Sequence, residues 1–269
     1  WGNEINGTDA DGNPASYVYK KTASAEFLAT MEERNSGNPT DPATLTDTIV
    51  YGAKNGLGLI DLRGKAYDDP LWDDLLDQLT PDDYQTLISS SGYGTPELQN
   101  VGKPYCMDAD SATGLVFGSA GGATLNGAEV TAQTWNRELA LEFGRLLGND
   151  ALLGAGTVGW YCPATNIHRT PFSGRNNEYY SEDAFMSGSM ASAAVQEAAK
   201  KGLYTFVKHF ALNDQENHRG DAQDAAAATW SGEQAIREIY LKPFEMCMKL
   251  EPVEMNYLEK QADGSYKNA

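Results

Sequence analysis

From Asp68 onward the chain alternates between segments with apolar residues at helical spacing and short apolar runs that end in polar residues. Pro70 opens a helix carrying Leu71, Trp72, Leu75, Leu76 and Leu79, and Thr80-Pro81-Asp82-Asp83 caps a second through Tyr84, Leu87 and Ile88. Pro104 to Met107 then reads as a strand ending in Asp108 and Asp110, and Glu129 to Leu147 as a helix. Gly159 to Cys162 reads as a strand leading into Pro163-Ala164-Thr165-Asn166, Ser187 to Lys201 as a helix, Tyr204 to Phe210 as a strand and Gly232 to Leu250 as a long helix. Strand and helix in strict alternation predict parallel α/β units. Polar strand ends are where α/β barrels and doubly wound sheets both carry their sites. No glycine-rich phosphate loop follows any strand, which makes a doubly wound nucleotide-binding fold the weaker of the two.

Residues 1 to about 58 have a different texture, rich in Gly, Asn, Thr, Asp and Pro, with one helical stretch around Ala23 to Arg34. Asp9-Ala10-Asp11-Gly12-Asn13 resembles a calcium loop only in its first residues; the glycine comes too early and the distal glutamate is missing, so a turn is expected. The division expected is a linker or the tail of a preceding domain over 1–67 and the main domain over 68–269. A chain opening on Trp1 reads as a processed or truncated piece of a longer protein.

Composition narrows the partners. With 38 acids against 20 bases among 269 residues, the net charge of −18 repels nucleic acid and anionic membrane and favours neutral or cationic ligands. No run of eighteen apolar residues is present. Cys106, Cys162 and Cys247 lie in apolar surroundings at unpaired spacing and read as buried thiols, which favours the cytoplasm over export without deciding between them. His168, His209 and His218 have no partners at zinc-like spacing, so neither a metal nor another cofactor is expected.

Two loops concentrate the chemistry. Behind the third strand stand Lys208 and His209, then Asn213, Asp214, Gln215, Glu216 and Arg219; behind the second stand His168, Arg169, Arg175, Asn176, Asn177, Glu178, Tyr179, Tyr180, Glu182 and Asp183. Either alone reads as a solvated polar loop. Adjacent residues on a strand face opposite ways, however, so one of Lys208 and His209 faces the interior and needs partners or a ligand there.

The ordered motifs "NIHRTPFSGRNNEYYSED", "KHFALNDQENHR" and "REIYLKPFE" resemble glycoside hydrolase family 3, in its β-glucosidase-like branch, over roughly residues 68 to 250. The resemblance implies a (β/α)8 barrel of which this chain holds only the first several strand-helix units. It also implies a retaining β-glycosidase that releases terminal non-reducing β-D-glucosyl residues from glucosides or oligosaccharides, with β-xylosidase the alternative inside the class. Carried over by position, Asp110, Arg175, Lys208 and His209 hold sugar hydroxyls, and Arg169, Asn213 and Glu216 support them from behind. Charged groups of this kind suit a ligand with adjacent hydroxyls. Two departures matter. The arginine that the family places soon after Asp110 is absent from Ser111-Ala112-Thr113-Gly114-Leu115-Val116, and Ala211-Leu212-Asn213-Asp214 replaces the histidine-bearing stretch of the N-acetylglucosaminidase branch.

By the same resemblance the nucleophile is an aspartate on a late strand and the acid/base a glutamate from another domain. Neither motif occurs here, and no catalytic residue is expected within the chain. The sequence stops after about three of the eight strands, and "EPVEMNYLEKQADGSYKNA" reads as a loop. The remainder of the enzyme, with the late strands and the acid/base, is therefore an expected partner. The reading from a different class is a non-catalytic sugar-binding module that keeps the clamp alone.

Overall fold

The computed structural model describes residues 24–30, 48–116, 122–154, 157–171, 173–214, 216, 229, 231–255 and 258–268. The turn expected at Asp9 to Asn13 lies outside them, as do Gln215, His218 and Arg219. Two compact units are formed, Trp1–Ile49 and Val50–Ala269. In the first, helix α1 spans Ala25–Thr30, inside the helical stretch expected there.

The second unit begins with a small helical layer. Helix α2 (Leu71–Leu76) follows Pro70, and α3 (Pro81–Ser90) starts at a reciprocal cap in which Thr80 and Asp83 satisfy each other's amides. Leu62, Leu75, Leu79, Leu98 and Val101 form the apolar cluster under these helices. Residues 50–67 belong to this layer: the amide of Gly52 donates to Leu79 O, and Leu57 exchanges two hydrogen bonds with the Gln78 side chain.

A four-stranded sheet follows, in the order β1 (Gly94–Thr95), β2 (Cys106–Ala109), β3 (Thr157–Trp160), β4 (Tyr204–Thr205). β1 is antiparallel to β2, while β2, β3 and β4 run parallel, so the expected parallel α/β alternation is present as an open sheet. Its strands differ from the expected bounds in an instructive way. The first runs through Asp108 rather than stopping before it, because this carboxylate is held within the sheet by the Tyr204 hydroxyl at 2.7 Å. The third pairs in ladder fashion only over Tyr204–Thr205; beyond, a single bridge joins Ala164 to Lys208.

Helices cover one face. α4 (Ala128–Gln133) and α5 (Arg137–Leu153) replace the single helix expected from Glu129, because Trp135 takes a left-handed φ of 55° and the Asn136 side chain caps the amides of Glu138 and Leu139. α6 (Ala184–Ala199) packs on both α5 and α8 (Lys242–Met248), which explains a sequence of small residues with little amphipathic contrast. The long helix expected from Gly232 is broken into α7 (Glu233–Ala235), a π-helical stretch over Ile236–Tyr240, and α8. Pro243 has no N–H for the Ile239 carbonyl, so the helix restarts around it. The C-terminal stretch read as a loop is a hairpin of β5 (Leu258–Lys260) and β6 (Tyr266–Asn268), turned at Asp263-Gly264 with Gly264 at φ 84°. Cys162 and Cys247 are buried as expected, whereas Cys106 is only half-buried at the start of β2.

Ala109, Trp160 and Leu203 point from the sheet into the core with Leu147, Ala151 and Ala198 of the helices. Asp108, Gly159 and Tyr204, one from each parallel strand and in register, take the opposite face. Gly159 is required there: a Cβ would lie 2.3 Å from Asp108 Oδ1 and 2.4 Å from Tyr204 Cε2, closing the path between them.

The helical cover depends on an equally close approach at Gly144, where a Cβ would stand 2.2 Å from the Ala194 carbonyl oxygen. Gly144→Val should therefore force α5 from α6 and cost about 1–3 kcal/mol of stability. The reading is an earlier urea midpoint at unchanged slope; an unshifted midpoint would contradict this packing.

Candidate functional site

Side chains two apart on a strand share a face, so Asp110 continues the face of Asp108, and Lys208 that of Tyr204 and Phe206. Both lie at the C-terminal ends of their strands. There the Lys208 ammonium donates to Asp110 Oδ1 at 2.7 Å and stands 3.7 Å from Glu178 Oε2. Lys208 meets the carboxylates directly, and His209 joins the same cluster through Arg175.

His209 is fixed by Asn166, a residue only 2% exposed. The Asn166 side chain accepts from the His209 amide at 2.7 Å and donates to the His209 carbonyl at 3.0 Å. Arg175 Nη2 lies 2.7 Å from His209 Nε2, and since a guanidinium only donates, Nε2 is the acceptor and the ring carries its proton on Nδ1, 3.3 Å from Asn166 Oδ1. The Lys208–His209 and Phe210–Ala211 peptide bonds are cis.

Arg175 is the hub of the second loop. It donates to Glu178 Oε1 through Nε at 3.0 Å and Nη2 at 2.8 Å, to Glu178 Oε2 at 3.0 Å, and faces Glu216 Oε1 at 3.7 Å from Nη1. The loop is anchored by Tyr179, fully buried, whose hydroxyl donates to Asn213 O at 3.1 Å and whose carbonyl pairs with His168 Nε2 at 2.8 Å. Gly174 leaves room for Glu216, since a Cβ there would come within 3.0 Å of its Cγ.

The seven residues singled out in the sequence thus fall into two groups. Asp110, Arg175, Lys208, His209 and Glu216 form one polar cluster, with Asp110, Arg175, Lys208 and Glu216 side chains 15–24% exposed. Arg169 and Asn213 lie behind it: the Arg169 guanidinium sits 5.5 Å over the Tyr240 ring, and Asn213 contributes its carbonyl to Tyr179. Glu178 and Asn166 are as central as any of these, yet the sequence marked them only as members of polar loops. The i, i+3 spacing of Arg175 and Glu178 within one helical turn was the available signal for Glu178; Asn166 gave none.

Electrostatics keep the cluster charged. For Lys208, burial works against the ammonium, but the neighbouring Asp110 and Glu178 carboxylates help to raise its pKa. For Arg175, burial is likewise overcome by Glu178. Burial pushes the Cys162 thiol, 3.9 Å from Asp110 Oδ1, up to about 12, so it is no nucleophile at neutral pH. Among the described residues no group of His, Cys, Asp and Glu is placed to hold a metal. No described helix is long and apolar enough to cross a membrane. The arrangement offers donors and acceptors of full charge, at close quarters, to a ligand with adjacent hydroxyls.

Residues 84–256 match the family described as glycosyl hydrolase family 3 N terminal domain. The β-glucosidase A of Butyrivibrio fibrisolvens is 36% identical over 61% of this chain and 19% of its own length, and a β-glucosidase of Ruminococcus albus is 32% identical over 74% of this chain and 22% of its own. The structure of β-glucosidase 3B from Thermotoga neapolitana in complex with α-D-glucose superimposes with a TM-score of 0.58 at 33% identity, covering 66% of this chain and 27% of that one. The chain spans about a fifth of the length of the curated relatives it matches.

Asp214 carries the support of this site. It accepts from the Ile167 amide at 3.0 Å, its carbonyl accepts from Ser173, and burial raises its pKa to about 6, against the Ile167 bond and Arg169. The unfolded carboxyl titrates near ~4, so the folded state binds this proton more tightly. Its contribution to stability is therefore greatest below about pH 4 and is lost as pH rises to about 6. Asp214→Asn keeps an acceptor for Ile167 and should flatten the stability profile over that window; a slope equal to that of the parent protein would contradict the assignment.

Proposed function

The chain belongs to glycosyl hydrolase family 3, and we propose that it forms the sugar-gripping part of a retaining β-glycosidase of the β-glucosidase type. In this reading β2, β3 and β4 are the first parallel strands of a (β/α)8 barrel that later segments complete. The carrying observation is the Lys208, Asp110, Glu178, Arg175 and His209 cluster at the C-terminal ends of those strands, where barrel enzymes carry their sites. The relatives support the substrate class, since one is described in complex with α-D-glucose and others as β-glucosidases.

The chemistry divides accordingly. A retaining glycosidase needs a carboxylate nucleophile and a carboxyl acid/base about 5–5.5 Å apart. Asp110 and Glu178 are both committed to cations and serve binding instead. Asp110 and Lys208 offer an acceptor and a donor to neighbouring hydroxyls, and Arg175, backed by Glu216 and His209, offers a second donor. As the sugar ring flattens and gains positive charge, hydroxyl contacts that shorten contribute to the transition state more than to the bound ground state. The nucleophile and the acid/base come from outside residues 1–269, and β-D-glucosyl groups at non-reducing ends are the substrate.

In the complete enzyme that contains this chain, Lys208→Ala or Asp110→Ala should lower kcat/KM on an aryl β-glucoside by about two to four orders of magnitude with the fold retained. Near-normal activity in both would remove them from the site. A trapped glycosyl-enzyme should map to an aspartate outside this chain, and a sugar bonded to any of its own residues would contradict the division of labour.

A further inference from the structure

Glu178 touches both cations of the clamp, Arg175 and Lys208. Its two oxygens take three hydrogen bonds from Arg175, and Oε2 also faces the Lys208 ammonium at 3.7 Å. Among the described ion pairs, Asp110 meets Lys208 and Glu216 meets Arg175, one cation each. The backbone holds Glu178 in place. It ends the turn Asn176–Glu178, next to buried Tyr179, which is bridged to Ala164, bonded to Asn213 and met by His168.

Two like charges would ordinarily move apart. Lys208 and Arg175 are brought to one carboxylate instead, and that carboxylate fixes the spacing between their remaining donors. Side-on bonding through Nε and Nη2 also fixes the plane of the guanidinium, which a single contact would leave free to turn. We propose that Glu178 is a positioning residue: it sets the distance and direction of Arg175 and Lys208 toward a single sugar. This rests on the reading of the cluster as a sugar clamp.

The alternative is a structural ion pair with no bearing on the ligand. A partly exposed pair of that kind contributes about 0–1 kcal/mol to stability and leaves kcat/KM unchanged apart from any loss of fold. The groups facing Lys208 are Asp110, Cys162 and Glu178, with Arg175 and His209 next to them. Removing the Glu178 charge leaves Asp110 as the carboxylate paired with Lys208 among the described ion pairs, because Cys162 stays a thiol up to about pH 12.

The test compares Glu178→Gln, Glu178→Asp and Lys208→Ala in the full-length enzyme that contains this chain. The pH dependence of Lys208 acylation by acetic anhydride is read by peptide mass spectrometry beside kcat/KM on an aryl β-glucoside and thermal stability. In Glu178→Gln the midpoint of acylation should fall by about one pH unit or more, and kcat/KM should fall by about 10- to 100-fold with Tm nearly unchanged. Glu178→Asp, which keeps the charge, should recover most of the acylation midpoint and part of kcat/KM. An unchanged midpoint, or a loss of activity that only follows a loss of Tm, overturns the positioning role. Should Glu178→Gln fail to fold, the aspartate variant decides: a midpoint displaced as far as loss of the charge would displace it overturns the proposal. An inactive Lys208→Ala beside a fully active Glu178→Gln overturns this inference alone, whereas an active Lys208→Ala overturns the clamp itself and this inference with it.

Discussion

One ion pair organises the site. Lys208 and Asp110 stand 98 residues apart in the chain and meet at 2.7 Å, each just beyond the end of a strand, with β3 between those two strands. The contact exists only if the three strands are parallel and in register, so it links the topology of the sheet to the chemistry at its end. One step lower, Tyr204 reaches Asp108 across Gly159 on the same face. Together the two contacts form a polar column along the sheet, opposite the apolar face that packs on the helices.

A half-buried ion pair is a poor source of stability, because desolvation offsets much of the attraction. Here the charges survive because partners surround them. Lys208 keeps its proton through the Asp110 and Glu178 carboxylates, and Arg175 through Glu178. The supporting layer follows a different rule. Asp214 and Tyr179 are driven by burial toward their neutral forms, and their value is in hydrogen bonds to the backbone that fix the two loops relative to each other.

The apolar rhythm made the alternation of strands and helices legible, because each helix must bury one face on the sheet. The charged residues at the strand ends were legible for the complementary reason: Lys208 beside His209 cannot both face solvent on a strand. What escaped the sequence depended on tertiary contacts. Asp108 looked like the end of a strand because a carboxylate is costly within a sheet until Tyr204 meets it, and that partner lies 96 residues away. The break at Trp135 is set by a left-handed residue that propensity does not favour, and the break near Leu241 by Pro243, which removes one amide from an otherwise strongly helical pattern. Asn166 looked like an ordinary turn residue; its importance comes from the His209 backbone 43 positions later.

The central claim is that these three strand ends grip a single sugar ring. A crystal structure of the complete protein with glucose bound tests it most directly. The account predicts glucose hydroxyls within about 3 Å of Lys208 Nζ, the Asp110 carboxylate and the Arg175 guanidinium, with Glu178 still joined to Arg175. A glucose bound elsewhere, with the Lys208 to Asp110 contact closed and no hydroxyl near it, would contradict the account.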